Sequence, residues 1–399
     1  MLETYTILSG VGQLLAARPH RGDTVVRGRP STRARTRAKG SSPKPNVHLE
    51  ATQLGTRDIA DLRRDPDSVM APAMPVVLHH PVAESPAVTT TAWGLSAIGA
   101  TDSPWDGKGV TVAVLDTGIR RDHKAFAELA IEEKDFTGEG NGDSNGHGTH
   151  CASTIFGRDV DHTRIGIARG VTQAFIAKVL HKNGRGDTPG LFRALQWALD
   201  HDAQVISMSL GFDFPGMVAR LHGDGWPVDA ATSHALGAYR SNLRLFDAFM
   251  RLADAYVPWN GGAVVVAATG NENRAGYRIA AALPAAADGV ISVAAATTRA
   301  ADGHRVAPFS NRWPVLTAPG VDVLGAGVTG ALVQKSGTSM AAPHAAGVAA
   351  LWWQKKRAGA RTATAAAVVA ALRETARRDV FAPDVEDSDC GAGLVTAPA

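Results

Sequence analysis

The sequence predicts an α/β fold in which a parallel sheet carries helices on both faces. Three observations support this. Short apolar runs rich in β-branched residues recur at Val110–Leu115, Ala174–Leu180, Val205–Leu210, Ala263–Thr269 and Val290–Ala296. Unbroken apolar runs of this length suit strands buried on both faces. A stretch with helical spacing, Leu191–Leu199, lies between two of them, as the crossover between parallel strands requires. Several runs also end on polar residues or glycine, which places those residues at the carboxyl ends of strands, where open α/β sheets bind ligands.

Length and charge bound the organisation. A chain of 399 residues with 45% hydrophobic content can form one large domain and a smaller one. No apolar run is long enough to span a bilayer, so no membrane partner is expected. The net charge of +3 is uneven, because residues 1–45 hold nine Lys/Arg against two acids and the remainder is mildly acidic. Cys151 and Cys390 read as small apolar residues rather than a disulfide. Met1-Leu2-Glu3-Thr4 has no basic start, and Thr6–Ala17 is broken by Ser9, Gly10, Gly12 and Gln13. That is a poor signal-peptide core, so a cytoplasmic location is expected.

Taken in order, residues 1–17 can form a strand and turn. Residues 18–45, rich in Arg, Ser, Thr, Gly and Pro, read as a solvated or disordered basic insert. They lack the interleaved aromatics that would stack bases, so no specific nucleic-acid partner is expected. Asn46–Leu54 alternates as a strand, and Thr56 can cap a helix through Arg64. Asp65-Pro66-Asp67 ends that helix, and Val69–Leu78 returns as an extended apolar segment. Residues 1–80 thus form a small α+β region, and 81–92 a Pro-containing linker. His79-His80 reads as a solvent-exposed pair on opposite faces of extended chain. Residues 93–399 form the main domain.

Four blocks of that domain carry chemistry. The run at Val110–Leu115 delivers Asp116-Thr117-Gly118 to a strand end. His147 lies between glycines in Asn145-Gly146-His147-Gly148-Thr149-His150, where the backbone can approach closely. Asn271 follows the strand Ala263–Thr269, and a side-chain amide there can donate to an oxyanion. Ser339, in Gly337-Thr338-Ser339-Met340-Ala341-Ala342-Pro343-His344, opens an apolar helix whose first N–H groups favour a developing anion. A serine hydroxyl needs a base with an orienting acid to become a nucleophile.

In the order Asp, His, Asn, Ser, these blocks resemble the subtilisin-like serine peptidases, the subtilase family, from about Trp93 to the C-terminus. The resemblance implies a subtilisin-like fold and peptide-bond hydrolysis through an acyl-enzyme. Asp116, His147 and Ser339 would be the triad and Asn271 the oxyanion donor, with a polypeptide substrate and no catalytic cofactor. It also implies that residues 1–80 are a propeptide that partners the domain; a permanent accessory domain is the alternative. Gly184-Arg185-Gly186 and Ser209-Leu210-Gly211 resemble the two walls that hold substrate backbone. Ala268 and Gly270 complete a side-chain pocket with room for a large uncharged group. His150 and His344 resemble structural histidines. Calcium is possible as a structural ion, although Asp159-Val160-Asp161 matches no recognised cage and the metal ligands stay unassigned. An insertion at 212–262, helical over Ala230–Tyr256 with a stripe of Leu236, Leu243, Phe246, Phe249 and Met250, suggests a processing protease of narrow specificity or a plain surface hairpin. A catalytically silent peptide-binding protein on the same fold is the rival function.

Overall fold

The computed structural model describes residues 3–12, 14, 44–89, 91–359 and 363–399. The basic insert expected at 18–45 lies, up to residue 43, outside the described residues. In the N-terminal region β1 (Glu3–Ser9) is the centre of an antiparallel sheet, flanked by β2 (His48–Leu54) and β3 (Ser68–Pro72). Helix α1 (Thr56–Leu62) begins one residue after its cap, Gly55. The expected Thr56 cap is not used, because Asp58 accepts the Gly55 N–H at 2.9 Å.

The extended segment expected over Val69–Leu78 divides at Ala73-Met74. Its second half, β4 (Pro75–Leu78), leaves the N-terminal sheet altogether. The linker expected at 81–92 contains a strand, β5 (Ala83–Pro86).

The main domain carries β6 (Thr111–Asp116), β7 (Ala130–Asp135), α2 (His147–Phe156), β8 (Gln173–Lys178), β9 (Arg185–Asp187), α3 (Thr188–Asp200), β10 (Val205–Met208), β11 (Leu210–Phe212), α4 (Phe214–Gly223) and α5 (Val228–Ala255). These are followed by β12 (Val264–Ala268), β13 (Ile291–Ala296), β14 (Leu316–Pro319), β15 (Val323–Ala326), β16 (Leu332–Ser336) and α6 (Thr338–Gly359). Seven strands form a parallel sheet in the order β14-β13-β12-β10-β6-β8-β7. The strand order reverses around β6, so a crevice opens at the carboxyl ends of β6 and β10.

Side chains of β6 alternate between two cores, as the pleat requires. Val112 and Val114 join Ala152 and Ile155 of α2 and the apolar run of α6. Ala113 and Leu115 join Leu195 of α3 and Phe246 of α5. Residues Thr338 to Trp353 of α6 are all buried, the pattern of a helix enclosed on every side.

The segment expected to be helical over Ala230–Tyr256 is α5, and of its expected stripe Phe246 and Phe249 are buried while Leu243 and Met250 pack against the same core. Leu236 is 59% exposed, while Ala235, Ala238, Asn242, Leu245 and Phe246 face inward. Asn242 Nδ2 donates to the Pro72 carbonyl at 2.9 Å, and His234 lies 3.0 Å from Glu3. The helix therefore packs against β3 and the N-terminal sheet. Leu8, Val11, Ala71 and Met74 of the N-terminal region share a core with Leu245 and Phe246.

The Phe246 ring is fully buried, 4.7 Å from the Phe192 centroid and 5.9 Å from that of Phe212. Phe246→Ala should cost about 3–5 kcal/mol of stability, read by urea unfolding in a Ser339→Ala background. A loss below about 1 kcal/mol, against that range, would mean this core is looser than its packing indicates.

Candidate active site

Asp116, His147 and Ser339 come from three different elements and meet at the crevice. Asp116 ends β6, and Thr117 N–H donates to its Oδ1 at 2.7 Å. His147 opens α2, with Nδ1 at 2.8 and 3.0 Å from the two Asp116 oxygens. This approach requires glycine at 148, because a Cβ there would collide with the Gly118 carbonyl. The loop before His147 turns on Asp143. Its carboxylate accepts from Thr117 Oγ1, from the N–H groups of Asn145 and Gly146, and from both N–H and Oγ1 of Thr149. Asp143 was not singled out from sequence, although an Asp ahead of Asn-Gly is the local signal for such a turn.

Ser339 is the second residue of α6. Its Oγ donates to the His79 carbonyl at 2.9 Å and lies 3.4 Å from the Ser209 carbonyl. His147 Nε2 is buried without a partner. Pro343, inside the helix, has no N–H to offer the Ser339 carbonyl four residues earlier. Ser209 Oγ and Cys151 Sγ supply the missing donors, at 3.1 and 3.3 Å. Cys151 is thus a buried packing and hydrogen-bonding group, and burial pushes its thiol pKa up. Both cysteines are free.

Asn271 is fixed by its oxygen, which accepts from Thr338 N–H and Thr338 Oγ1, each at 2.9 Å. Its Nδ2 is thereby aimed into the cleft, where it donates to the His80 carbonyl at 3.0 Å. Ser339 and Asn271 therefore hold consecutive carbonyls of one extended segment.

That segment directly follows β4, which lies between β9 and β11 and is antiparallel to both. Val77 is opposite Gly211 and Arg185, Leu78 is opposite Leu210, and Leu78 N–H donates to Gly184 O at 2.8 Å. The structure thus brings Gly184, Arg185, Gly186, Leu210 and Gly211 around one strand, with Ser209 beneath Ser339. Gly270 N–H donates to Thr338 Oγ1 at 3.1 Å. Ala268 is instead turned into the core beside Ala341 and Ala342.

Expectation fails at His79, which is 5% exposed rather than solvent-facing. Its ring lies where a Cβ on Gly211 would collide with it, and its Nδ1 is 3.6 Å from Glu272. The side-chain pocket therefore holds an imidazole with a carboxylate beside it. Burial would raise the Glu272 pKa. His79 and the Asn311 amide, 2.7 Å away, outweigh that and pull it down to about 2.

His150 and His344 behave as structural groups. Burial, helped by Lys335, depresses His150 to about 3, and burial depresses His344 to about 4. Each bonds a backbone carbonyl, of Val323 and Met340 respectively. Among the described residues, the cluster close enough to hold a metal is Asp116, His147 and Cys151, which is the site itself. The loop carboxylates Asp159 and Asp161 pair with Arg169 and Lys124. No helix among the described residues is long and apolar enough to cross a membrane.

Burial alone would depress the His147 pKa, but the adjoining Asp116 carboxylate reverses this and pushes it up to about 10. A folded-state pKa above the unfolded value of roughly 6.5 contributes stability that is full below the lower value and lost as pH rises through the higher. The stability gap between Ser339→Ala and Ser339→Ala/His147→Asn should therefore narrow from pH 7 to pH 10 in denaturant titrations. A gap that widens over this range would contradict the buried ion pair.

Residues 107–393 match the family model described as Subtilase family. The chain is 32% identical over 299 residues to a cuticle-degrading serine protease of Arthrobotrys oligospora, covering 69% of this chain and 62% of that protein. It is 31% identical over 317 residues to a thermostable alkaline protease of Halalkalibacterium halodurans, covering 77% and 72%. It is 33% identical over 281 residues to subtilisin-like protease 6 of Trichophyton soudanense, covering 65% and 57%. The match thus spans less than two thirds of the length of two of these three relatives.

Proposed function

The chain belongs to the subtilase family, and from that premise we propose that it is a serine endopeptidase acting through an acyl-enzyme. The observation that carries this reading is the Ser339 hydroxyl set against the carbonyl of a strand held antiparallel in the cleft. In the reaction, His147 Nε2 takes the Ser339 proton as Oγ bonds to the scissile carbonyl carbon. Asp116 holds the imidazole at Nδ1 and stabilises the imidazolium. The oxyanion is met by Asn271 Nδ2 and the Ser339 N–H. Collapse breaks the C–N bond, and His147 returns the proton to the leaving amine. Water, activated the same way, then frees the acyl group. The chemistry uses no cofactor.

The same geometry supports reading residues 1–79 as a propeptide cut by its own domain. The His79 side chain fills the pocket, and its carbonyl faces Ser339, so the bond that follows, His79–His80, is the one we assign. As held, the cleft is at rest. Asn271 grips the His80 carbonyl rather than that of His79. Attack requires the His79 carbonyl to replace it at Asn271. A strand joined directly to the domain reaches the cleft at high effective concentration, which favours cleavage in cis. A pocket carrying Glu272 favours a processing role of narrow specificity over broad digestion.

Asn271→Ala should fold normally and lower kcat by roughly two to three powers of ten with KM little changed, as removing one such donor does in subtilisin. An unchanged kcat would remove Asn271 from the mechanism. Purified wild type should mature to a species beginning at His80, while Ser339→Ala keeps its N-terminal region and is trimmed by a trace of active enzyme. Active enzyme that retains residues 3–79 covalently throughout turnover would make that region an accessory domain. A catalytically silent binding protein would leave wild type and Ser339→Ala alike.

A further inference from the structure

The chain beyond the assigned bond is also held as a strand, on a different wall. β5 pairs antiparallel with β16, outside the parallel sheet, in the register Ala83 opposite Ser336, Glu84 opposite Lys335, Ser85 opposite Gln334 and Pro86 opposite Val333. Val82 N–H donates to Ser336 O at 2.7 Å, and Val88 N–H to Gln334 Oε1 at 3.1 Å. All four residues of β5 are exposed, so the strand lies on the surface as an added edge. Backbone bonds of this kind hold any extended peptide, and the choice among peptides falls to side chains.

One side-chain pair stands out. The Lys335 side chain is 4% exposed, yet its Nζ is an ammonium lying 3.3 Å from Glu84 Oε2, which belongs to the added strand. Its other polar neighbour is the Gly146 carbonyl at 3.5 Å, immediately before His147. Among the described residues, Glu84 is the one carboxylate within ion-pair distance of Lys335. A buried ammonium without a counter-charge is costly, and removing its partner leaves that cost uncompensated. A mature enzyme that begins at His80 keeps β5 and Glu84, so a substrate strand must displace β5 from this wall, and Lys335 then exchanges Glu84 for a residue of the substrate. Three residues separate Lys335 from Ser339, so the position along a bound peptide that meets Lys335 is fixed relative to the bond being cut.

We propose that Lys335 is a specificity-determining residue on the leaving-group side of the cleft, selecting polypeptides with Asp or Glu at the fifth residue after the scissile bond. Glu84 occupies that place when His79–His80 is the bond. The proposal rests on the peptidase reading of the cleft and adds the charge class of its substrates.

The test uses mature enzyme and two internally quenched peptides with the sequence of Pro75–Ala87, one native and one carrying Glu84→Gln. The native peptide should have a kcat/KM about tenfold higher, the scale of one charge-assisted contact. Raised salt should narrow the ratio. Lys335→Met should bring the ratio close to one, and Lys335→Arg should preserve a preference for the acidic peptide. If Lys335→Met does not fold, a Glu84→Lys peptide offered to wild type replaces it and should be cut more slowly than the Gln peptide. Equal cleavage of all peptides by wild type overturns the selectivity and leaves the peptidase reading standing. If no peptide is cut and casein is not cut either, the peptidase reading itself falls and the selectivity falls with it.

Discussion

The insertion of β4 between β9 and β11 is the constraint on which the rest of the structure depends. Each of those two short strands lies at an edge with backbone groups directed at the slot between them. Only an extended peptide of the right length can satisfy both sides at once. Filling the slot fixes the register, and the register puts the His79 carbonyl on Ser339 and the His79 ring against Glu272. The N-terminal sheet is anchored nearby through β3 on α5, so the segment entering the slot is positioned before the slot is reached. The insertion helix is best understood as part of this support. It lies against the N-terminal region rather than across the mouth of the cleft.

The groups proposed to act in catalysis are held in place by neighbours that have no part in that chemistry. Asp143 gathers the N–H groups of the loop before His147. Thr338 holds the Asn271 oxygen so that the amide N–H2 has one direction left to point. Pro343 frees a carbonyl that Ser209 and Cys151 then cover. Donors fixed in this way need little reorganisation when charge develops, which is what makes an oxyanion site effective. Most of the buried polar groups here are paired; the ring nitrogens His79 Nε2, His147 Nε2 and His150 Nδ1 are not, and His147 Nε2 is the one the proposed mechanism uses to move a proton.

Much of this was legible in the sequence, for reasons that are local. The runs at Val110–Leu115 and Ala263–Thr269 are β-branched and apolar, and their polar ends mark the crevice. Gly146 and Gly148 around His147 signal a close backbone approach. What could not be read depends on pairing between distant segments. His79-His80 looks like polar linker until β4 is known to sit in the cleft, where alternate residues are driven to opposite faces and His79 is buried. Ala83–Pro86 carries no strand signal of its own, and only the edge of β16 makes it one. Leu236 fits the helical stripe of α5 by spacing, but the N-terminal sheet selects the neighbouring face, lined by Ala235, Ala238 and Asn242. Glu272, next to Asn271 in sequence, declares itself only when a side chain is found in its pocket.

The central claim is that Ser339 is a nucleophile activated by His147 and Asp116 in a cleft that the chain's own strand first occupies. The most direct measurement is covalent labelling with a fluorophosphonate, with the adduct located by peptide mass mapping in mature protein and in the same protein carrying Asp116→Asn. One adduct, on Ser339, is expected in mature wild type, and labelling at least a hundredfold slower, on the order of the loss expected when the orienting acid is removed, in Asp116→Asn. Labelling elsewhere, or equal labelling of Ser339 in both proteins, would contradict it.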